Sequence, residues 1–120
     1  MQKKTVVLGA SENRERYSNM AVRKLTAHNH PVIAIGIRPG VIENVPIVEE
    51  LLPLSFVDTI TLYLSEKNQK KYYNYIFSLS PKRIIFNPGA ENSELELLAR
   101  EKGIKTMNAC TLVLLTTGQY

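Results

Sequence analysis

Thr5-Val6-Val7-Leu8-Gly9-Ala10-Ser11 is a short apolar run that stops abruptly at a glycine. Polar residues follow, among them Arg14, Arg16, Ser18 and Asn19, and lead into a helical pattern. A buried strand that ends on glycine and feeds a helix predicts a loop of free backbone N–H groups. Such a loop lies beside a helix N-terminus, whose dipole favours anions. Phosphate is the natural occupant, and a nucleotide-type ligand is the first expectation.

Outward from that run, apolar β-branched segments alternate with helical patterns. Ser18–Asn29 reads as a helix, with Ala21, Val22 and Leu25 spaced to share one side. Pro31–Gly36 reads as a second strand, apolar throughout as a strand covered on both faces should be. A third strand covers Thr59–Leu64, reaching back to Val57. Ser65 and Glu66 open a helix running to about Leu79, with Lys67, Lys70, Lys71 and Asn74 on its polar face. Tyr72 and Ile76 are expected to pack on the sheet, with Tyr73 partly exposed. Arg83–Phe86 is a fourth strand. Ser93-x-x-Glu96 has the form of a capping box, and its helix should stop at Gly103. Lys105–Met107 is a short fifth strand and Thr111–Thr116 a final short helix.

This alternation predicts an α/β fold: a three-layer, Rossmann-like, doubly wound sheet of about five parallel strands with helices on both faces. The irregular stretch from Arg38 to Pro53 reads as a surface loop carrying a minor strand near Val45–Val48. The 120 residues form one domain, with no internal repeat or low-complexity segment.

Composition narrows the function classes. Hydrophobic content of 44% and charged content of 22% are ordinary for a globular protein. No apolar run approaches the roughly 20 residues that span a bilayer, and the N-terminus lacks a signal-peptide pattern. The single cysteine, Cys110, suits a reducing cytoplasm. A net charge of +4 favours an anionic partner, but the lysines are scattered rather than striped, so neither nucleic acid nor membrane is expected.

In a doubly wound sheet ligands bind beyond the carboxyl ends of the strands. That places Gly9, Ala10 and Ser11 at the site, with Gly36, Ile37, Arg38 and Pro39 after the second strand. Tyr63, Leu64 and Ser65 end the third, and Asn87, Pro88 and Gly89 follow the fourth. Only the first glycine of Gly-x-Gly-x-x-Gly is present, so a tight turn explains Gly9 as well as a dinucleotide fingerprint does. Arg38 discriminates better. An NAD site places an acidic residue at the end of the second strand, whereas a cation there suits a phosphorylated ribose, as in NADP or coenzyme A. With Arg14 and Arg16 it supplies three guanidinium groups for phosphate; the alternative is that each is a solvated loop residue.

Other chemistries are poorly supported. His28 and His30 fall at a helix end on the opposite edge of the sheet, where a C-terminal cap or exposed turn accounts for them. No Cys, His and carboxylate cluster has metal-ligand spacing. Ser11 lacks a Gly-x-Ser-x-Gly elbow and a histidine base, which leaves it as a hydrogen-bond donor to phosphate. Glu91, Glu94 and Glu96 offset a helix dipole. Cys110, near the last helix with Asn108 and Thr111, reads either as a small buried hydrophobe or as a thiol facing the ligand edge. No catalytic residue emerges.

Four blocks carry a resemblance. They are Val7-Leu8-Gly9-Ala10-Ser11-x-Asn13-x-x-Arg16-Tyr17-Ser18-Asn19, Ala34-Ile35-Gly36-Ile37-Arg38-Pro39-Gly40 leading to Val45-Pro46-Ile47, Phe86-Asn87-Pro88-Gly89-Ala90-Glu91-Asn92, and Asn108-Ala109-Cys110-Thr111-Leu112-Val113-Leu114-Leu115. In this order they resemble the CoA-binding domain family, small stand-alone relatives of the CoA-binding domain of the succinyl-CoA synthetase alpha subunit. The resemblance implies that Gly9, Ala10 and Ser11 approach the CoA pyrophosphate, with Arg16, Ser18 and Asn19 completing the phosphate site. It puts Arg38 near the phosphorylated adenosine, Tyr63 and Leu64 along the adenine or pantetheine, and Asn87-Pro88 in the loop after the fourth strand. The family often has Asn-Pro where this chain has Arg38-Pro39. The synthetase's phosphohistidine domain and partner subunit have no counterpart here, so ligase activity does not transfer. The leading expectation is therefore a CoA or acyl-CoA binding module, a carrier, sensor or subunit rather than an enzyme. The alternatives are a small NADP-dependent oxidoreductase and a ligand-free protein-interaction domain, and a homodimer or another protein partner remains open.

Overall fold

The computed structural model describes residues 2–120. Its strands are β1 (Thr5–Leu8), β2 (Val32–Ile35), β3 (Gly40–Ile42), β4 (Val45–Val48), β5 (Thr59–Leu62), β6 (Arg83–Phe86) and β7 (Lys105–Asn108). Its helices are α1 (Tyr17–Ala27), α2 (Glu66–Gln69), α3 (Tyr73–Ser78), α4 (Ser93–Glu101) and α5 (Thr111–Thr116), with a 3-10 turn at Lys70–Tyr72. The strands form one seven-stranded sheet in the order β3-β4-β2-β1-β5-β6-β7. All neighbours are parallel except β3 and β4.

The expected α/β architecture is present, but with seven strands in place of about five. The minor strand became β4, paired to β2 through Ala34↔Ile47 and Ile35↔Val48. β3 then folds back antiparallel on β4 and ends the sheet. Chain order runs outward from β1 through β2 to β4, then resumes on the other side of β1 with β5, β6 and β7. The order reverses at β1, which makes its carboxyl end the crevice of the sheet.

β1, β5 and β6 are buried at every position. Because side chains alternate across a strand, their residues divide between two clusters. Val6, Leu8, Ile60, Leu62, Ile84 and Phe86 pack with Tyr75 and Ile76 of α3 and Leu95 and Ala99 of α4. Val7, Ala34 and Ile85 pack instead with Val22 and Leu25 of α1 and Leu115 of α5. Tyr72 and Ile76 are buried and Tyr73 half-buried, as their spacing indicates.

Two helical expectations need correction. The helix read from Ser65 to Leu79 is broken into α2, the 3-10 turn and α3. Gln69 and Tyr72, both buried, lie three residues apart across that turn, and three residues per turn sets their side chains one above the other. The cap of α4 is Asn92, not Ser93: the Asn92 side chain accepts from the Leu95 N–H at 3.1 Å. Its amide nitrogen donates to Gln69 Oε1 and the Tyr73 hydroxyl, and so fixes the oxygen toward the helix. Gly103, at φ +77°, ends that helix as expected.

Candidate functional site

A cleft runs along the carboxyl ends of β2, β1, β5 and β6. It has a smaller compartment of about 230 Å³ and a larger one of about 790 Å³. Gly9, Ser11, Arg16, Tyr63, Leu64 and Ser65 line both, so the two are continuous. The smaller adds Tyr17, Ser18 and the Pro88–Ala90 loop. The larger adds Ala10, Gly36, Ile37, Arg38 and Pro39 on one side and Asn68, Lys71 and Tyr72 on the other.

Two glycines permit this geometry. Gly9 sits at φ +102°, where a Cβ would also lie 3.0 Å from the Tyr63 carbonyl oxygen. A Cβ on Gly36 would approach the Ala10 carbonyl oxygen to 2.4 Å, so the loops after β1 and β2 can touch only with glycine there. The loop after β1 is less open than expected. The Gly9 and Ala10 N–H groups both donate to the Ile35 carbonyl at 2.9 Å, so they are not free for phosphate.

The donors left to the cleft come from the start of α1. Arg16 is its N-cap in an extended conformation, with no side-chain cap and no acidic residue in the first turn. A helix leaves its first N–H groups without intrahelical partners, so this terminus presents uncompensated positive dipole beside Ser18. Local turns hold it in place: Arg16 N–H donates to the Asn13 carbonyl at 3.0 Å and Asn13 N–H to Ser11 Oγ at 3.1 Å.

The structure brings most of the expected residues together. Gly9, Ala10, Ser11, Arg16, Ser18, Gly36, Arg38, Pro39, Tyr63, Leu64 and Pro88 all line the cleft. Three do not. Arg14 is exposed and outside the cleft lining, its carbonyl accepting from Arg23 at 3.2 Å. Asn19 is buried and fully engaged, donating to the Ser11 carbonyl at 2.8 Å and accepting from Arg23 Nε at 2.8 Å. Asn87 is turned inward. It donates to Thr61 Oγ1 and the Leu62 carbonyl and accepts from the Thr111 N–H at 2.9 Å. Asn19 and Asn87 therefore shape the site from beneath.

Sequence reasoning missed Glu12, Asn68, Lys71 and Tyr72. Glu12 accepts from the Val41 N–H at 2.9 Å and ties the loop after β1 to strand β3. Nothing in its local sequence signals this, since the partner lies 29 positions away. Tyr63 lines the cleft, while its hydroxyl is buried without a hydrogen-bond partner. Burial pushes that phenol well above its ordinary range.

Among the described residues, no three His, Cys, Asp or Glu side chains group as a metal site, and no helix is long and apolar enough to cross a membrane. His28 caps the C-terminus of α1 and His30 accepts from the Lys3 N–H, both at the amino ends of the strands. Cys110 is half-buried at the N-cap of α5, outside the cleft lining.

Comparisons with known proteins agree on the fold. A crystal structure of an uncharacterized protein is 44% identical, with a TM-score of 0.98 over 100% of this chain and 99% of that one. A hypothetical protein from Pyrococcus horikoshii OT3 is 21% identical, TM-score 0.83, over 92% of this chain and 80% of that one. Cell-free ID.343 from Thermus thermophilus is 19% identical, TM-score 0.85, over 99% and 91%. No curated protein matches. Residues 3–116 match the family described as CoA binding domain, and the chain belongs to that family.

Proposed function

We propose that this domain is a Rossmann-like, three-layer module that binds coenzyme A or an acyl-CoA in the cleft at the carboxyl ends of its strands. The observation that carries the reading is the charge of that cleft. Arg16, Arg38 and Lys71 line it with no acidic partner, since among the described residues the one ion pair is Arg100–Glu96 on α4. Next to them lies the uncapped start of α1. Cations and a helix N-terminus converging where strand order reverses suit a polyphosphate.

In this reading the pyrophosphate sits over Ser11 against Arg16 and the first turn of α1. Arg38 faces the phosphorylated adenosine, and Pro88 and the smaller compartment take the pantetheine side. The exposed Ile37 side chain gives the adenosine an apolar wall. The cleft lining contains one carboxylate, Glu12, already held by Val41, and no histidine or cysteine. That supports a carrier, sensor or subunit rather than an enzyme.

Calorimetry with CoA, dephospho-CoA and NADP tests the proposal. CoA should bind, and loss of its 3′-phosphate should weaken binding about tenfold or more, the worth of one charge-assisted contact. Binding of NADP without CoA would instead favour a reductase. Silence with all three would assign the domain to a protein partner.

A further inference from the structure

The lysine-rich segment after β5 is more than a solvated helix face. Of Lys67, Lys70 and Lys71, only Lys71 lines the larger compartment, beside Asn68 and Tyr72. The 3-10 turn explains why. Gln69, fully buried, donates to the Leu64 carbonyl at 2.8 Å and the Ala90 carbonyl at 2.7 Å, and accepts from Asn92 at 2.9 Å. Tyr72, three residues on, is buried too. Successive residues of a 3-10 turn diverge by about 120°, so pinning Gln69 and Tyr72 inward sends Lys70 and Lys71 to different sides. Lys71 emerges over the cleft.

Its ammonium lies 5.3 Å from the centroid of the Tyr72 ring and has no acidic partner. Arg38 belongs to the opposite wall. β2 and β5 flank β1, so their carboxyl ends lie about 10 Å apart, two strand spacings. Arg38, three residues beyond β2, and Lys71, in the 3-10 turn that follows α2, line the same compartment of about 790 Å³, so an anion held there is faced by both cations. A phosphate monoester carries about 1.5 to 2 negative charges near neutral pH and three acceptor oxygens, enough for both.

We infer that Lys71 is a specificity-determining residue that closes on the ribose 3′-phosphate of CoA from the side opposite Arg38. The inference rests on the CoA reading above and adds a second cation that the strand-end pattern does not contain. It also gives the break between α2 and α3 a purpose, because an interrupted helix is where a side chain can be re-aimed at a ligand.

The test is calorimetry of the whole chain with CoA and dephospho-CoA, using wild type, Lys71→Gln, Lys71→Arg, Lys70→Gln and the Arg38→Gln/Lys71→Gln pair. Lys71→Gln should weaken CoA about tenfold and leave dephospho-CoA unchanged. Lys71→Arg should restore most of that loss and Lys70→Gln should do nothing. The paired variant should bind the two ligands equally. If wild type prefers CoA but Lys71→Gln leaves the ratio of the two affinities unchanged, the role of Lys71 is overturned and the CoA reading stands. If wild type binds neither ligand, both fall.

Discussion

The two ends of the parallel strands handle their positive charges in opposite ways. At the amino ends they are consumed by the fold. Arg83 is buried, with its guanidinium 4.4 Å from the Tyr120 ring centroid and Nε donating to Thr59 Oγ1 at 2.9 Å. Lys3 donates to the Tyr120 carbonyl, His30 lies 4.9 Å from the same ring, and the Tyr120 hydroxyl pairs with Thr5. At the carboxyl ends Arg16, Arg38 and Lys71 stand in a cleft with no acidic partner, Lys71 resting over the Tyr72 ring that lines the same cleft. One end spends its polar groups on closure, while the other leaves them for an anion from outside. The expected consequence is that stability and binding separate by strand end.

The largest effect should come from the closed end. Tyr120→Ala removes the ring on which Arg83, His30 and Lys3 converge, and leaves Thr5 and Arg83 short of partners. Loss of a buried aromatic costs about 3–5 kcal/mol, and thermal melts should show it. Calorimetry on the fraction still folded should give an unchanged CoA affinity. A comparable loss of affinity would break the separation of the two ends.

Asn87→Ala is the sharper challenge, because Asn87 lies at the open end yet points inward. Its removal orphans the Thr111 N–H and the Leu62 carbonyl, both inside the fold. A loss of about 1–3 kcal/mol is expected from buried polar groups left unsatisfied. It should behave as a closed-end residue, with a lower Tm. Direct, ligand-selective loss of CoA binding at full stability would place it in the cleft instead.

Arg16→Asp should separate the two properties by sign. Arg16 occupies an N-cap in extended conformation with no side-chain bond. Aspartate there should stabilise the helix by about 1 kcal/mol, through the cap and the dipole. The same change puts a carboxylate where a phosphate is proposed to sit, so CoA affinity should fall at least about tenfold. A higher Tm with weaker CoA binding is the expected pair. A higher Tm with unchanged binding would remove Arg16 and the α1 terminus from the ligand's path.

What the sequence made legible follows the same division. Unbroken apolar runs such as Ile84-Ile85-Phe86 and the glycine stop at Gly9 carry their reason locally, so the parallel strands and the crevice were readable. β3 was not, because its three residues are held by β4 and by the Glu12 carboxylate, neither of which has a periodic signature. The Ser93 capping box failed for a similar reason. Two adjacent residues can cap, and the choice of Asn92 is made by Gln69 and Tyr73 from another element. Within the site, strand-end position put Asn87, and the family resemblance put Asn19, at the carboxyl edge, yet both side chains turn inward. Their direction was set by backbone groups that need partners, the Ser11 carbonyl and the Thr111 N–H. Sequence locates a residue on an edge, whereas unsatisfied neighbours decide which way it faces.

The smallest expected effect, and the finest test of the closed end, is the pH dependence of His30. Burial is the main cause that holds its pKa below the ordinary value, with the charges of His28, Lys3 and Arg83 adding to it. Nδ1 accepts from the Lys3 N–H at 3.0 Å, which requires that nitrogen to be unprotonated. The unfolded chain, with an ordinary pKa of about 6.5, therefore binds the proton more readily than the folded one. Stability from this group is full above about pH 6.5 and falls as pH drops toward the lowered folded value. Urea midpoints between pH 8 and 5 should decline in that window, and His30→Gln should flatten the part of the decline that His30 causes. CoA affinity should not follow the same titration, because the imidazole lies at the amino ends of the strands and the cleft at the carboxyl ends. A shared titration would mean that the two ends communicate through the four-residue strands between them.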